Sequence, residues 1–360
     1  MSHREGKTDA AHIAKPESLV LEHIADRRQA FQPNPQLESL LEQLQQLLNP
    51  VQKLVNTRHA APRMPVFGLV GCPRSGITFA SQLLAASGAV CWPSNLLSRF
   101  AHMPYLGALI QELLFNPEFD LGGEFAELRH TPPMRSRLGK TDGPLGVSEF
   151  FHFWRRFLPT YEPELLSQEQ LEQVSIKELR SELAGIEAAF GKPFMSKAKM
   201  LQFNLDYFMQ ALPELRIIHI QRAPEHVMPS ILRARRTYYR DERLWWSVKP
   251  AEYGQLIKED PITQIAGQVY YTDRSISRQL ESIAPERWIR LDYESLCADP
   301  HGCLRKLASH FQLPDFTQNL EAIAESFPCG NATQGGEEQQ QLVARYRAIS
   351  QADAGNGKRV

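Results

Sequence analysis

What this 360-residue chain lacks narrows its chemistry first. Its five cysteines, Cys72, Cys91, Cys297, Cys303 and Cys329, are an odd number and form no CxxC pair. That pattern speaks against a zinc knuckle or a disulfide framework and fits free thiols in a reducing compartment. Neither charge is in excess: 40 Lys and Arg face 41 Asp and Glu, a formal net charge of −1. No whole-molecule field therefore recruits nucleic acid or an anionic membrane, and any attraction for anions has to be local. No window approaches the roughly 18 uninterrupted apolar residues of a membrane span, and Met1 to Pro16 are polar and charged where a secretory leader needs an apolar stretch. A cytoplasmic protein with no integral membrane segment is expected. Internal repeats and low-complexity tracts are missing as well.

What is present suits one large domain, since hydrophobic residues make up 42% of the chain and can bury a sizeable core. Residues 1–62 read as an unstructured start followed by a helical extension. From Leu19 to Leu54 the pattern is helical, broken into two helices at Pro33 and Pro35, with Leu37, Leu41, Leu44 and Leu48 on one face. Any homo-oligomer is expected to form through these helices. Ala61-Pro62-Arg63-Met64-Pro65 is a linker, because two prolines so close stop a helix or a strand. The main domain spans 63–330, and 331–360 reads as a C-terminal helix and a tail that frays after Ser350.

Within the main domain short apolar runs alternate with helical stretches, the signature of a parallel sheet covered by crossover helices. Strands are predicted at 66–70, 193–197, 216–221 and 288–291. Helices are predicted near 76–87, 175–190, 202–212, 224–236, 261–283 and 301–311. This is an α/β fold with helices on both faces of a central parallel sheet, three layers in all.

The most informative stretch is Gly71-Cys72-Pro73-Arg74-Ser75-Gly76-Ile77-Thr78, directly after an apolar strand and directly before a helix. A glycine-bounded turn there aims backbone N–H groups at a phosphate, and the helix dipole adds positive character. A nucleoside-triphosphate loop needs Lys immediately after the second glycine, where this chain has Ile77. The cation sits inside the loop instead, at Arg74, beside the link between one phosphate and a transferred group. That argues for a nucleotide donor without a triphosphate, although a strand-to-helix turn alone often looks like this. Cys72 has no His neighbour to activate it and reads as a spacer.

A second signal raises the first. Arg216 to Gln221 runs as a buried strand into Arg222-Ala223-Pro224, a proline-started helix, and Ser230 follows Arg222 by eight residues. Arg222 leaves the strand end while Ser230 sits two turns into the helix, a pair able to meet on one phosphate.

Together these segments resemble the sulfotransferase family, whose 5′-phosphosulfate loop reads GxP[KR]SGTT and whose 3′-phosphate site reads R-x-P-x-x-x-x-x-S. The Arg form of the loop is similar to bacterial and tyrosylprotein sulfotransferases. Phe194-Met195-Ser196-Lys197 resembles the family's second cationic strand, and Asp292-Tyr293-Glu294-Ser295-Leu296 its late Y-E-x-L segment. The resemblance spans about Pro65 to Pro314. It implies a P-loop NTPase-like fold and 3′-phosphoadenosine-5′-phosphosulfate as co-substrate, with adenosine 3′,5′-bisphosphate as product and no metal required. By the same resemblance Arg74 and the loop from Cys72 through Pro73, Ser75, Gly76 and Ile77 to Thr78 hold the 5′-phosphosulfate. Arg222 and Ser230 would hold the 3′-phosphate, and Tyr293 would approach the adenine. The chain departs from the pattern at Ile77 and lacks a clear R-K-G clamp over the 3′-phosphate; the Cys329-Gly330-Asn331 turn is one replacement, and Lys358-Arg359 a poor one.

Sulfuryl transfer needs in-line geometry, a base for the acceptor hydroxyl and positive charge over the bridging oxygen. Arg74 supplies that charge and Lys197 is a second donor. Cytosolic members carry His two residues beyond the equivalent lysine, where this chain has Lys199. Glu149, in the glycine-rich stretch from Gly139 to His152, is the expected base, with His152 and Glu124 as fallbacks; a first-turn acid favoured by the helix dipole is an equal reading of Glu149. Phe150, Phe153, Trp154 and Phe157 share a helical face and read as core. Arg233, Arg235, Arg236, Arg240 and Arg243, interleaved with Tyr238, Tyr239, Trp245 and Trp246, suggest a platform for a carbohydrate or glycolipid acceptor, though surface helix ends also look like this. The competing enzyme class is a P-loop kinase with Asp292 as its magnesium-binding acid.

Overall fold

The computed structural model describes residues 26–120, 122–129, 134–331 and 336–356. Four strands, β1 (Val66–Val70), β2 (Phe194–Lys197), β3 (Leu215–Gln221) and β4 (Trp288–Asp292), form one sheet in the order β2-β1-β3-β4. Every pairing is parallel, with Val66 opposite both Phe194 and Leu215, and Ile217 opposite Trp288. A parallel sheet covered on both faces asks for continuous apolar strands. β1 accordingly is buried at all five positions.

Side chains alternate between the two faces, so one strand feeds two cores. Val66, Val70 and Ile217 pack with Leu183, Leu201, Phe208 and Ile276 on one side. Phe67, Leu69, Ile218 and Ile220 pack with Ile77, Leu83, Leu304 and Phe316 on the other. The aromatic stripe is core as expected: Phe150, Phe153, Trp154 and Phe157 all lie in the first cluster. Its helix is a single turn, Phe151–Trp154, entered through Phe150 in a left-handed conformation.

The crossover helices fall where the sequence placed them, at Ile77–Ala86, Ile176–Phe190, Leu205–Ala211, Pro224–Tyr239, Pro261–Glu281 and Pro300–Phe311. Before the sheet, a 3-10 turn at Gln29–Phe31 leads to one long helix, Pro35–Asn56, capped by Asn34 Oδ1 accepting from the amides of Gln36 and Leu37 at 3.0 and 3.2 Å. The predicted helix ahead of Pro33 falls largely outside the described residues. Leu37, Leu41, Leu44 and Leu48 are half-buried, whereas Leu40 and Leu47 of the same helix are exposed.

The tail beyond Ser350 is not frayed up to Asn356. The helix Glu337–Asn356 continues through it because Asp353 accepts from Tyr270 Oη at 2.8 Å and pairs with Arg274 Nε at 2.7 Å. Leu342 of that helix is buried against Val227, Ile231 and Ile265. Among the described residues no helix is long and apolar enough to cross a membrane.

Because all four strands run the same way, their C-terminal ends share one edge of the sheet. The residues at and just after these ends, Gly71 to Thr78, Lys197 to Lys199, Arg222 and Tyr293, therefore meet there, the usual place for a ligand in an open parallel sheet.

Candidate active site

The loop after β1 is held by close backbone approach. Gly71 has φ 153°, and a Cβ on it would lie 2.4 Å from the carbonyl oxygen of Ile220. Gly76 has φ 99°, and a Cβ there would lie 2.3 Å from the Tyr293 ring. Only glycine fits either place. Between them Arg74 takes the left-handed conformation at φ 70°, and Ser75 N donates to Cys72 O at 3.1 Å. The turn delivers the chain into the helix Ile77–Ala86, whose first-turn amides have no acceptor inside the helix. Ile77, at the position where a triphosphate loop carries its lysine, is only 4% exposed.

Arg74 and Arg222 converge from two different strand ends. Arg74 Nε donates to Ser230 Oγ at 3.0 Å, and Arg222 Nη1 donates to the Arg74 carbonyl at 3.0 Å. The expected Arg222 and Ser230 pair is thus joined through Arg74. Arg222 also donates to Gly330 O at 2.7 Å and to Asn331 Oδ1 at 3.0 Å, and its guanidinium lies 4.4 Å from the centre of the Tyr293 ring. Gly330 N donates to Tyr293 Oη at 3.1 Å, so the 329–331 turn closes over this corner. Burial, followed by the nearby Arg222 and Arg233 charges, lowers the Arg74 pKa, and so much unshared positive charge is a call for an anion. Phe79 meets Tyr293 edge-on at 6.0 Å and Phe327 at 5.1 Å, an aromatic wall beside the arginines.

A second cluster stands beyond the loop's other end. Lys197 is 1% exposed, and its Nζ donates to Thr78 Oγ1 at 3.1 Å, to Gly139 O at 3.3 Å and to Glu149 Oε1 at 3.3 Å. Lys199 Nζ lies 3.2 Å from Glu149 Oε1 and 3.1 Å from Oε2. Burial opposes the charge on Glu149, yet the two lysines outweigh it and hold the carboxyl below its usual range. Burial lowers the Lys197 pKa, and Glu149 partly restores it. Of the three acids and bases weighed from the sequence, only Glu149 joins Lys197. His152 has Arg155, Glu38 and Arg99 as its charged neighbours, and Glu124 is exposed.

The chain has known relatives. The sequence profile of the sulfotransferase family matches residues 65–318. The chain belongs to the sulfotransferase family. Among curated relatives, the omega-hydroxy-beta-dihydromenaquinone-9 sulfotransferase Stf3 of Mycobacterium tuberculosis and that of Mycobacterium bovis are each 26% identical over 293 residues, 76% of this chain and 70% of theirs. Among solved structures, sulfotransferase STF9 from Mycobacterium avium is similar at 17% identity and TM-score 0.50, over 82% of this chain and 78% of the other. STF1 from Mycobacterium tuberculosis has the same identity and TM-score over 86% and 82%. At that identity the likeness speaks for the shared fold.

In this sulfotransferase the arginine and aromatic run beyond Pro224 is mostly structural. Arg235 is fully buried, bonded to Gln264 Oε1 at 2.6 Å and Glu242 O at 3.1 Å, with its guanidinium 5.1 Å from the Trp245 ring centre. Burial pushes its pKa down to about 10. Trp245 is itself core, Arg236 pairs with Glu242 and Glu338, and Arg243 pairs with Asp241. Arg233 differs, since its charge bears on Arg74, and Arg240 is exposed. Sequence reasoning missed Lys199, Phe79 and Phe327 as members of the site. Phe79 directly follows the loop and was within reach, but nothing local marks Phe327.

Proposed function

We propose that this sulfotransferase moves a sulfuryl group from 3′-phosphoadenosine-5′-phosphosulfate to the hydroxyl of a small acceptor. The convergence of Arg74 and Arg222 carries the reading: Arg222 Nη1 reaches the Arg74 carbonyl at 3.0 Å, so two cations stand within the span of one nucleotide. A ribose with phosphates on both its 3′ and 5′ oxygens needs such a pair; a triphosphate needs the lysine that Ile77 replaces.

In this reading Arg74 and the loop amides from Ser75 to Thr78 grip the 5′-phosphosulfate. Arg222 and Ser230 hold the 3′-phosphate beneath the Gly330–Asn331 turn, and the adenine lies against Phe79, Tyr293 and Phe327. Glu149 is the base. It is ionised, and its buried Oε2 accepts no aligned hydrogen bond from the described residues, which leaves a lone pair for the acceptor hydroxyl. The acceptor oxygen bonds to sulfur as its proton passes to Glu149. The bond from sulfur to the bridging oxygen breaks, and its electron pair stays on that oxygen, which becomes part of the 5′-phosphate. Arg74 faces the charge that accumulates there and Lys197 faces the sulfuryl oxygens.

For the acceptor we favour an alcohol on an apolar body. The carbohydrate expectation leant on the arginine and aromatic run, and Arg235 and Trp245 are buried. The Stf3 relatives, by contrast, are named for a hydroxylated menaquinone. Calorimetric titration with adenosine 3′,5′-bisphosphate and, separately, magnesium ATP tests the donor. Tight binding of the former alone is expected; equal or inverted preference contradicts the reading.

A further inference from the structure

The carboxylate of Glu149 is shared between two lysines of unequal situation. Lys197 is buried, and its three acceptors, Thr78 Oγ1, Gly139 O and Glu149 Oε1, match the three hydrogens of an ammonium group. To reach a sulfuryl oxygen it must give up one of them, and the contact to Glu149, at 3.3 Å, is among the two longest. Lys199 is 14% exposed and lies against both carboxylate oxygens, and among the described residues Glu149 is its one acid partner. The two lysines leave the sheet on either side of Ala198, at the end of β2, while Glu149 arrives from the loop that carries Gly139.

We propose that Lys199 is a positioning residue: it keeps Glu149 charged and fixed in direction when donor binding draws Lys197 toward the sulfuryl group. This rests on the reading of Glu149 as the base. Without Lys199, a carboxylate already disfavoured by burial would lose its second cation at the moment it must accept a proton, and would be protonated at higher pH. After transfer the same cation disfavours the protonated carboxyl and so favours release of the proton. The charged groups bearing on Glu149 are these two lysines, and the other two acceptors of Lys197, Thr78 Oγ1 and the Gly139 carbonyl, do not titrate.

The test is the pH profile of kcat/KM for the acceptor at saturating donor, recorded from about pH 5 to 9 for the wild type and for the variants K199M, K199Q, K199R and E149Q. Affinity for adenosine 3′,5′-bisphosphate serves as the check on folding. The acid limb is expected to move up by about one pH unit or more in K199M and to return in K199R. If K199M does not fold, K199Q gives the same reading. A limb lost in E149Q but unmoved in K199M and K199Q overturns the role of Lys199 alone. Retention of the wild-type limb by E149Q overturns the base assignment and this proposal with it.

Discussion

At the proposed nucleotide end of the site the candidate groups stand directly beyond strands: Arg74 four residues past β1, Arg222 one past β3, Tyr293 one past β4. At the proposed acceptor end Glu149 is brought to Lys197 by a loop, across 48 residues of sequence. The first end is made of backbone amides, glycines and guanidinium groups whose spacing is dictated by a turn. The second is made of a carboxylate and two ammonium groups whose meeting depends on tertiary packing. The contrast explains why an anion pocket is readable from local pattern, while at the other end Glu149 stood beside fallbacks and its second lysine partner, Lys199, went unread.

The sharpest way to break this comparison is at the acceptor end. Glu149→Gln is expected to lower kcat by about a thousandfold, the usual range for loss of a general base, with little change in affinity for adenosine 3′,5′-bisphosphate. A variant that turns over at the wild-type rate would leave the acceptor end without its base. At the nucleotide end Arg74→Ala should lower kcat by roughly a hundredfold or more, with only a modest loss of nucleotide affinity in the same calorimetric assay. Wild-type turnover there would remove Arg74 from the chemistry. Arg235→Ala sharpens the comparison from outside both ends. Truncating a buried, bonded cation should cost about 3 kcal/mol in chemical denaturation and leave nucleotide affinity of the folded enzyme intact. A selective loss of acceptor or nucleotide binding, without loss of stability, would restore it to the site.

Much of the fold could be read in advance because β1 has no polar side chain, β3 carries Leu215, Ile217, Ile218 and Ile220, and the prolines at 224, 261 and 300 start helices. The helix Pro104–Phe115 was not: Leu109 and Leu113 are exposed while Ala108 and Phe115 are buried, so no clean apolar stripe announces it. The tail beyond Ser350 looked frayed because its ties, Asp353 to Tyr270 and Arg274, reach across 83 residues or so to another helix. The same limit governs the site. Arg74, Arg222 and Ser230 sit in short patterns, whereas Lys199 is by itself an ordinary charged residue after a strand. The arginine and aromatic run was ambiguous for the converse reason: composition does not separate a platform from a core, and Arg235 is buried among its partners.

The most direct measurement compares adenosine 3′,5′-bisphosphate with adenosine 5′-monophosphate on the wild type and on Arg222→Ala. A single nucleotide spanning both arginines requires the wild type to prefer the bisphosphate strongly, and the variant to lose that preference, by about a hundredfold, while its affinity for the monophosphate stays put. If Arg222→Ala instead weakens both ligands alike, or neither, the two arginines do not serve opposite ends of one adenosine.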